Sequence, residues 1–418
     1  MSDFLFIASD YKPKPGGIAA YLDSLARGLI ALGNTVHVLG LIPPEDSQRL
    51  AFLESYAPWV SPFPVVYDKR PEGWFGNGCV STLEILRCSS PVARRVLDKT
   101  SFFQGSVDAI SKLEEFVAQN KPRMIVFGHL DIHQYPLVLF LRERGLPYGI
   151  IAHDVEVQRF PNKKNDLIRR GMMLREAAWI AANSRHTKSL LDQWDIPAAK
   201  IKIVHPPISA DAIDASSNTE RCPGQRPQLN IATVCRIVRA KGIDVAIRAL
   251  RVLIDRGIPC SYVVAGDGSE RVNLERLTVE LGLQDRVHFA GPITEAEKWN
   301  LLRNTDVFVM SSRVNPQIQH EGFGIAFIEA AAFGVPGVGS RGGGIPDAIV
   351  DGETGVLVAE ESHLELADAL SALYRDPQKM HQMGLVARER ARRHFSPAIV
   401  AAHFRKEVLQ VTERDAQS

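Results

Sequence analysis

Phe4-Leu5-Phe6-Ile7-Ala8 is an unbroken apolar run, the pattern of a strand covered on both faces of a parallel sheet. After the loop Ser9–Gly17, apolar residues recur at helical spacing over Ile18–Leu32 and stop at Gly33-Asn34; Thr35–Leu39 is a second buried strand. Strand, helix and strand in this order predict a doubly wound α/β sheet. The pattern fades from about Glu45 to Gly105, where long loops and small helices are expected. It resumes with a helix at Val107–Gln119 and strands at Met124–Phe127, Tyr148–Ala152, Trp179–Ala182 and Ile201–Val204. His205-Pro206-Pro207 and the polar run Ser209–Gln228 break both periodicities and read as a crossing between domains. A second series follows, with strands at Leu229–Val234, Tyr262–Ala265, Val287–Phe289, Val307–Met310, Pro336–Val338 and Gly355–Val358. Its helices are Gly242–Arg256, Val272–Leu281 and Leu364–Tyr374, and further helices run from about Met380 to Val411. Two such Rossmann-like units predict a ligand cleft between domains.

In open α/β sheets, ligands bind beyond the carboxyl ends of the strands, so residues there carry the most chemical information. Gly16-Gly17 lies at the first strand-to-helix turn, where bare amides can meet a phosphate; taken alone it is equally a plain loop. His153-Asp154 ends a strand and favours a functional reading over a structural one. Arg236 and Lys241, in Cys235-Arg236-Ile237-Val238-Arg239-Ala240-Lys241-Gly242, follow the first strand of the second series, and two fixed cations suit a diphosphate. Glu321-Gly322-Phe323-Gly324 leads through Ile325 into an apolar helix bearing Glu329. Its glycines permit a tight turn with amides turned outward, and its two carboxylates suit a ligand rich in hydroxyls. An acid opposing a helix dipole is the plainer reading of Glu321. Glu329, however, sits among Ala, Phe and Ile, where an unpaired carboxylate is costly.

Composition narrows the classes. With 418 residues the chain has material for two or three domains, and a net charge of +1 gives no global field to recruit nucleic acid or an anionic membrane. Five scattered cysteines without CxxC spacing fit a reducing compartment and no structural zinc, and the twelve histidines form no HExxH-type cluster. No GxGxxG with a downstream acid and no GxxxxGK[ST] follows a first strand, against a dinucleotide dehydrogenase and a P-loop enzyme. No run approaches the ~18 apolar residues that span a bilayer, and a cytoplasmic protein is expected. Leu167–Glu176, with Arg169, Arg170 and Arg175, leaves a peripheral contact with the inner face of the membrane open, a solvated helix face being the plainer reading. The arginines at 388, 390, 392 and 393 are likewise read as a solvated face.

The chain resembles the retaining, two-domain GT-B glycosyltransferases of the group 1, family 4 type. The resemblance rests on Gly16-Gly17, His153-Asp154, Arg236 with Lys241-Gly242, Gly266-Asp267-Gly268, Glu321-Gly322-Phe323-Gly324 to Glu329, and Gly342-Gly343-Gly344-Ile345-Pro346-Asp347. It implies an α/β fold of two Rossmann-like, doubly wound domains facing a central cleft. Residues 1–208 would form the acceptor-side domain, 209–385 the donor-binding domain, and 386–418 helices packing back on the first. It implies that Arg236 and Lys241 hold the donor diphosphate, Gly16 and Gly17 meet the phosphate, and Glu329 takes the ribose hydroxyls. Glu321, with Gly322, Phe323, Gly324 and Ile325, would grip the sugar, and His153 would lie near the reacting centre. The expected partners are a nucleotide-sugar donor and a hydroxyl acceptor, with no metal and no other cofactor. A nucleotide-sugar epimerase or hydrolase, or a non-catalytic binder, are the alternatives. Three departures from the family pattern stand out: Cys235 in place of Gly, Asp347 in place of Glu, and extra residues at Val314–Gln319.

Overall fold

The computed structural model describes residues 3–11, 16–42, 56–64, 104–131, 134–158, 164–217, 227–314 and 321–415. The chain divides into two units: residues 1–183, 187–204 and 401–418 in the first, and 184–186 with 205–400 in the second.

The apolar run Phe4–Ala8 is strand β1, buried at every position, and helix α1 (Gly17–Ala31) returns the chain to β2 (Val36–Ile42). After β3 (Val60–Pro64) and α2 (Gln104–Asn120) come β4 (Met124–Phe127), α3 (Tyr135–Glu143) and β5 (Tyr148–Ala152). The unit continues with α4 (Lys164–Glu176), β6 (Trp179–Ala182), α5 (Arg185–Leu191) and β7 (Ile201–Ile203). These strands form one parallel sheet in the order β3-β2-β1-β4-β5-β6-β7. The order turns about at β1 and β4, so residues 9–11, which follow β1, and 128–131, which follow β4, leave the sheet at the switch point where such sheets bind ligands.

The second unit opens with α6 (Ala210–Ser216), a short helix inside the stretch that the sequence presents as a crossing. Then come β8 (Leu229–Val234), α7 (Ile243–Asp255), β9 (Cys260–Ala265), α8 (Arg271–Glu280), β10 (Val287–Gly291) and α9 (Glu295–Asn304). The series ends with β11 (Val307–Met310), α10 (Ile325–Ala332), β12 (Gly337–Ser340), α11 (Ile345–Ala348), β13 (Gly355–Val358), α12 (His363–Arg375) and α13 (Pro377–Phe395). The sheet is parallel in the order β10-β9-β8-β11-β12-β13, with its switch point between β8 and β11.

Helix α14 (Pro397–Asp415) carries Phe404 against Phe4, Phe6 and Trp179 of the first sheet. Residues 386–400 count with the second unit.

Neither arginine-rich helix presents a simple solvated face. On α4, Arg169 is buried with its guanidinium over Tyr135, and Arg170 donates to the carbonyl of Glu156 at 2.9 Å. On α13, Arg388 donates to the carbonyl of Ser216, and Arg390 to those of Asp347 and Ala348 at 2.8 Å. Last-turn carbonyls of a helix lack intrahelical donors, and guanidinium groups satisfy them here.

Most of the poorly patterned stretch 45–105 lies outside the described residues, as do Cys79, Cys88, Cys222, His320 and residues 315–319.

Candidate active site

In the first unit, α1 starts at Gly17 after an extended Gly16. Side chains four apart share a helix face, so the first turn leads to Tyr21, which is buried and meets His153 edge-on at 5.1 Å. His153 Nε2 lies 2.8 Å from the carbonyl oxygen of Gly128. A carbonyl only accepts, so Nε2 carries the proton and Nδ1 is an acceptor. Burial pulls the imidazole down to about 4, and it is neutral near pH 7. Asp154 follows at φ +129°, a conformation that costs a non-glycine residue about 1–3 kcal/mol and recurs at functional sites. Gly16, Gly17 and His153 therefore belong to one neighbourhood at the carboxyl edge of the first sheet.

The second unit gathers the other candidates at its own switch point. Arg236 and Lys241 leave the end of β8 on a loop held against neighbouring loops. The amide of Ile237 donates to the carbonyl of Asp267 at 2.8 Å, and Gly242 turns the chain into α7 at φ +63°. A Cβ at Gly242 would stand 1.9 Å from the carbonyl oxygen of Ser311, so only glycine lets this loop approach the end of β11. Arg313, just beyond β11, donates to the carbonyl of Arg239 at 2.7 Å and pairs with Asp244 and Glu361. It fixes the turn that carries Lys241.

Lys241 Nζ donates to Glu321 Oε2 at 2.6 Å, with side chains 13% and 16% exposed. Burial pushes the Cys235 thiol up to about 12, and the charges of Lys241, Glu321 and Arg236 act on it more weakly. The segment from Glu321 is seated by the glycine loop at 342–344: the amide of Gly344 donates to the carbonyl of Glu321 at 2.8 Å. A Cβ on Gly344 would stand 1.9 Å from the carbonyl oxygen of Gly322, so the backbones touch where no side chain fits. Phe323 is buried, its ring 5.3 Å from that of His205 and 5.5 Å from that of Phe395, which leaves its backbone as the available group. Gly324 caps α10, and Ile325 and Ala326 form its first turn, where amides lack intrahelical acceptors.

Glu329 lies one turn further along α10 and is buried. Burial raises its pKa, and Lys298 opposes the rise, its Nζ 3.0 Å from Glu329 Oε1. Lys298 is raised in turn: burial pulls it down, but Glu329 and Glu295 outweigh that pull.

Lys298 and Arg313 are functional candidates that the sequence reading does not reach. Helix α9 escapes it although Thr294-x-x-Glu297 spells a capping box, and both reciprocal bonds form. Nothing in the sequence around Arg313 marks it; its role depends on three partners far away in the chain. Among the described residues, no group of three His, Cys, Asp or Glu could hold a metal ion. No described helix is long and apolar enough to cross a membrane.

A cation-bearing loop, a carboxylate turn at a helix start and a buried carboxylate one turn on, all by the switch point of a parallel sheet, are groups whose chemistry suits a ligand with phosphates and hydroxyls. Known families agree. Residues 225–390 match the family described as glycosyl transferases group 1, and residues 15–212 match glycosyltransferase family 4. Each half of the chain thus matches a glycosyltransferase family, and the chain is a glycosyl-transferring enzyme that uses a nucleotide-sugar donor. It is 26% identical over 396 residues to a GDP-mannose-dependent α-(1-6)-phosphatidylinositol monomannoside mannosyltransferase of Mycolicibacterium smegmatis, covering 92% of each chain. It is 32% identical over 217 residues to a D-inositol 3-phosphate glycosyltransferase of Corynebacterium diphtheriae, 49% of each chain. In fold it is similar to Anabaena HepE, solved in complex with UDP, with a TM-score of 0.70 at 18% identity over 98% of this chain and 100% of that one.

Proposed function

We propose that the chain moves a hexose-type sugar from a GDP- or UDP-sugar to a hydroxyl acceptor, with retention at the anomeric carbon and without a metal. The observation that carries this reading is the pairing of Glu321 with Lys241, which lies on the loop that leaves β8 and also bears Arg236. Sugar transfer from a nucleotide diphosphate develops negative charge on the departing phosphates. Two cations drawn onto the diphosphate when the donor binds are in place to stabilise that charge before the bond breaks, the task a bound metal performs elsewhere. When the donor binds, Lys241 and Arg236 turn to the diphosphate, and Glu321 is freed to accept hydrogen bonds from the sugar. The amides from Gly322 to Ile325 complete that grip, and Glu329 takes the ribose hydroxyls. With the leaving phosphate held in place, its oxygen can take the acceptor proton on the face it has vacated, which gives retention. Gly16 and Gly17 offer amides to phosphate, and neutral His153 presents Nδ1 as an acceptor for a hydroxyl.

GDP-mannose is the first donor to try, because the relative that matches along most of the chain is named for it. That relative's lipid-linked acceptor also supports a peripheral membrane contact, and the free thiols of Cys235 and Cys260 suit a cytoplasmic setting.

The test is turnover of GDP-mannose and UDP-hexoses with and without acceptor alcohols, with NMR of the anomeric proton in the product. Lys241→Ala and Glu329→Ala should each lower kcat/KM at least tenfold in a folded protein, about 1.4 kcal/mol of lost stabilisation. Wild-type turnover in both variants contradicts the assignment, conversion of donor alone points to an epimerase or hydrolase, and an inverted product contradicts retention.

A further inference from the structure

Glu329 is an awkward residue for its assigned task, and the structure contains what makes it usable. A buried carboxylate tends to take up a proton, and an uncharged acid is a poorer acceptor for hydroxyls than a carboxylate. Lys298 lies against it, one turn into α9, with side chains 13% and 10% exposed. The ammonium reaches Glu329 Oε1 at 3.0 Å and Glu295 Oε2 at 3.1 Å. Its Nζ also lies over the indole of Trp299, 4.3 Å from the ring centroid. That indole is buried and stacked on Phe333 at 5.6 Å, so α9 and α10 are locked together where the ion pair sits. The capping box at Thr294 and Glu297 fixes the start of the helix that delivers Lys298. Among the described residues, Lys298 supplies the hydrogen bond to Oε1, and none engages Oε2.

We propose that Lys298 is a positioning residue for donor binding: it fixes the Glu329 carboxylate through Oε1, is itself anchored by Glu295, and so presents Oε2 to the ribose hydroxyls. The proposal rests on the reading that Glu329 takes the ribose. Lys298 acts through Glu329, so its loss is read as a loss of discrimination between a ribose and a ring without hydroxyls.

The test is calorimetric binding of GDP and 2′,3′-dideoxy-GDP, or of the uridine pair if UDP binds more tightly, to the full chain. The wild-type protein should prefer the ribonucleotide by at least about tenfold, the scale of hydrogen bonds to a charged group. Lys298→Met should bind the ribonucleotide about tenfold more weakly and lose most of that preference, while its affinity for the dideoxy compound stays near the wild-type value. Lys298→Arg should restore the preference, which a merely structural loss would not produce. If Lys298→Met fails to fold, Lys298→Gln and the exposed Glu295→Gln carry the same comparison. Full ribose preference in folded Lys298→Met or Lys298→Gln overturns the proposal. Glu329→Gln separates the two levels: if it keeps the preference, the ribose assignment itself falls, whereas if it loses the preference and Lys298→Met does not, only the positioning role falls.

Discussion

At Glu329 two opposing tendencies meet in one side chain. Burial raises its pKa, and a lysine from another helix opposes that rise. The sequence singles out Glu329 as a carboxylate in apolar company, and the structure confirms the burial that made it conspicuous. It does not reveal the partner, because Lys298 is 31 residues away and its helix is short and weakly amphipathic. His153 shows the reverse shift, its pKa held down to about 4 by burial from an ordinary 6.5. Above pH 6.5 the folded and unfolded chains both carry a neutral ring. Between 6.5 and about 4 the unfolded chain takes up the proton first, so stability is lost as pH falls through that window. The full loss approaches roughly 3 kcal/mol, less what solvent screens at a half-buried ring. His129, lowered by burial as well, acts in the same direction. Denaturant unfolding followed from pH 7 to pH 4.5 should show this decline, and His153→Gln should flatten part of it. An equal decline in the variant would show that the titration lies elsewhere.

At the scale of elements, the glycine loops decide where the charged groups stand. Gly242 and Gly344 are the positions where a side chain would push one strand-end loop off another. Gly242→Ala must accept both a left-handed backbone and a Cβ 1.9 Å from the carbonyl of Ser311. It should destabilise the second unit by at least about 2 kcal/mol in denaturant titration and raise KM for the donor by moving Lys241. A neutral Gly242→Ala would mean that the loop adapts freely and that Lys241 is not held by it. Most strands were legible because a parallel strand covered on both faces is an apolar run, as at Phe4–Ala8 and Trp179–Ala182. Helix α3 was not, since Tyr135–Glu143 is apolar nearly all round and lacks a period. Helix α6 hides inside a Pro-broken stretch, and β3 within a region without pattern. The arginines of α4 and α13 misled for a related reason: charge in a sequence suggests solvent, whereas Arg169 is buried and Arg390 caps carbonyls.

For the whole molecule, two parallel sheets each place their candidate residues at a carboxyl edge by their switch point. Gly17 and His153 stand there in the first unit, and Arg236, Lys241, Glu321 and Glu329 in the second. The candidate residues were legible because the chemistry of strand-end loops is local: Gly-Gly, His-Asp, Arg with Lys, and a carboxylate turn. Their pairing was not, because no sequence spacing states that Lys241 rests on Glu321, 80 residues on. The central claim is that these cations hold a nucleotide diphosphate. A ligand that binds only the folded state raises its melting temperature by mass action. The most direct measurement is therefore thermal unfolding of the wild-type chain and Lys241→Ala with GDP, UDP, GMP and UMP. A nucleoside diphosphate should raise Tm of the wild type by several degrees, its monophosphate much less, and neither should move Lys241→Ala appreciably. Equal shifts in both proteins, or no shift with any diphosphate, would contradict the account.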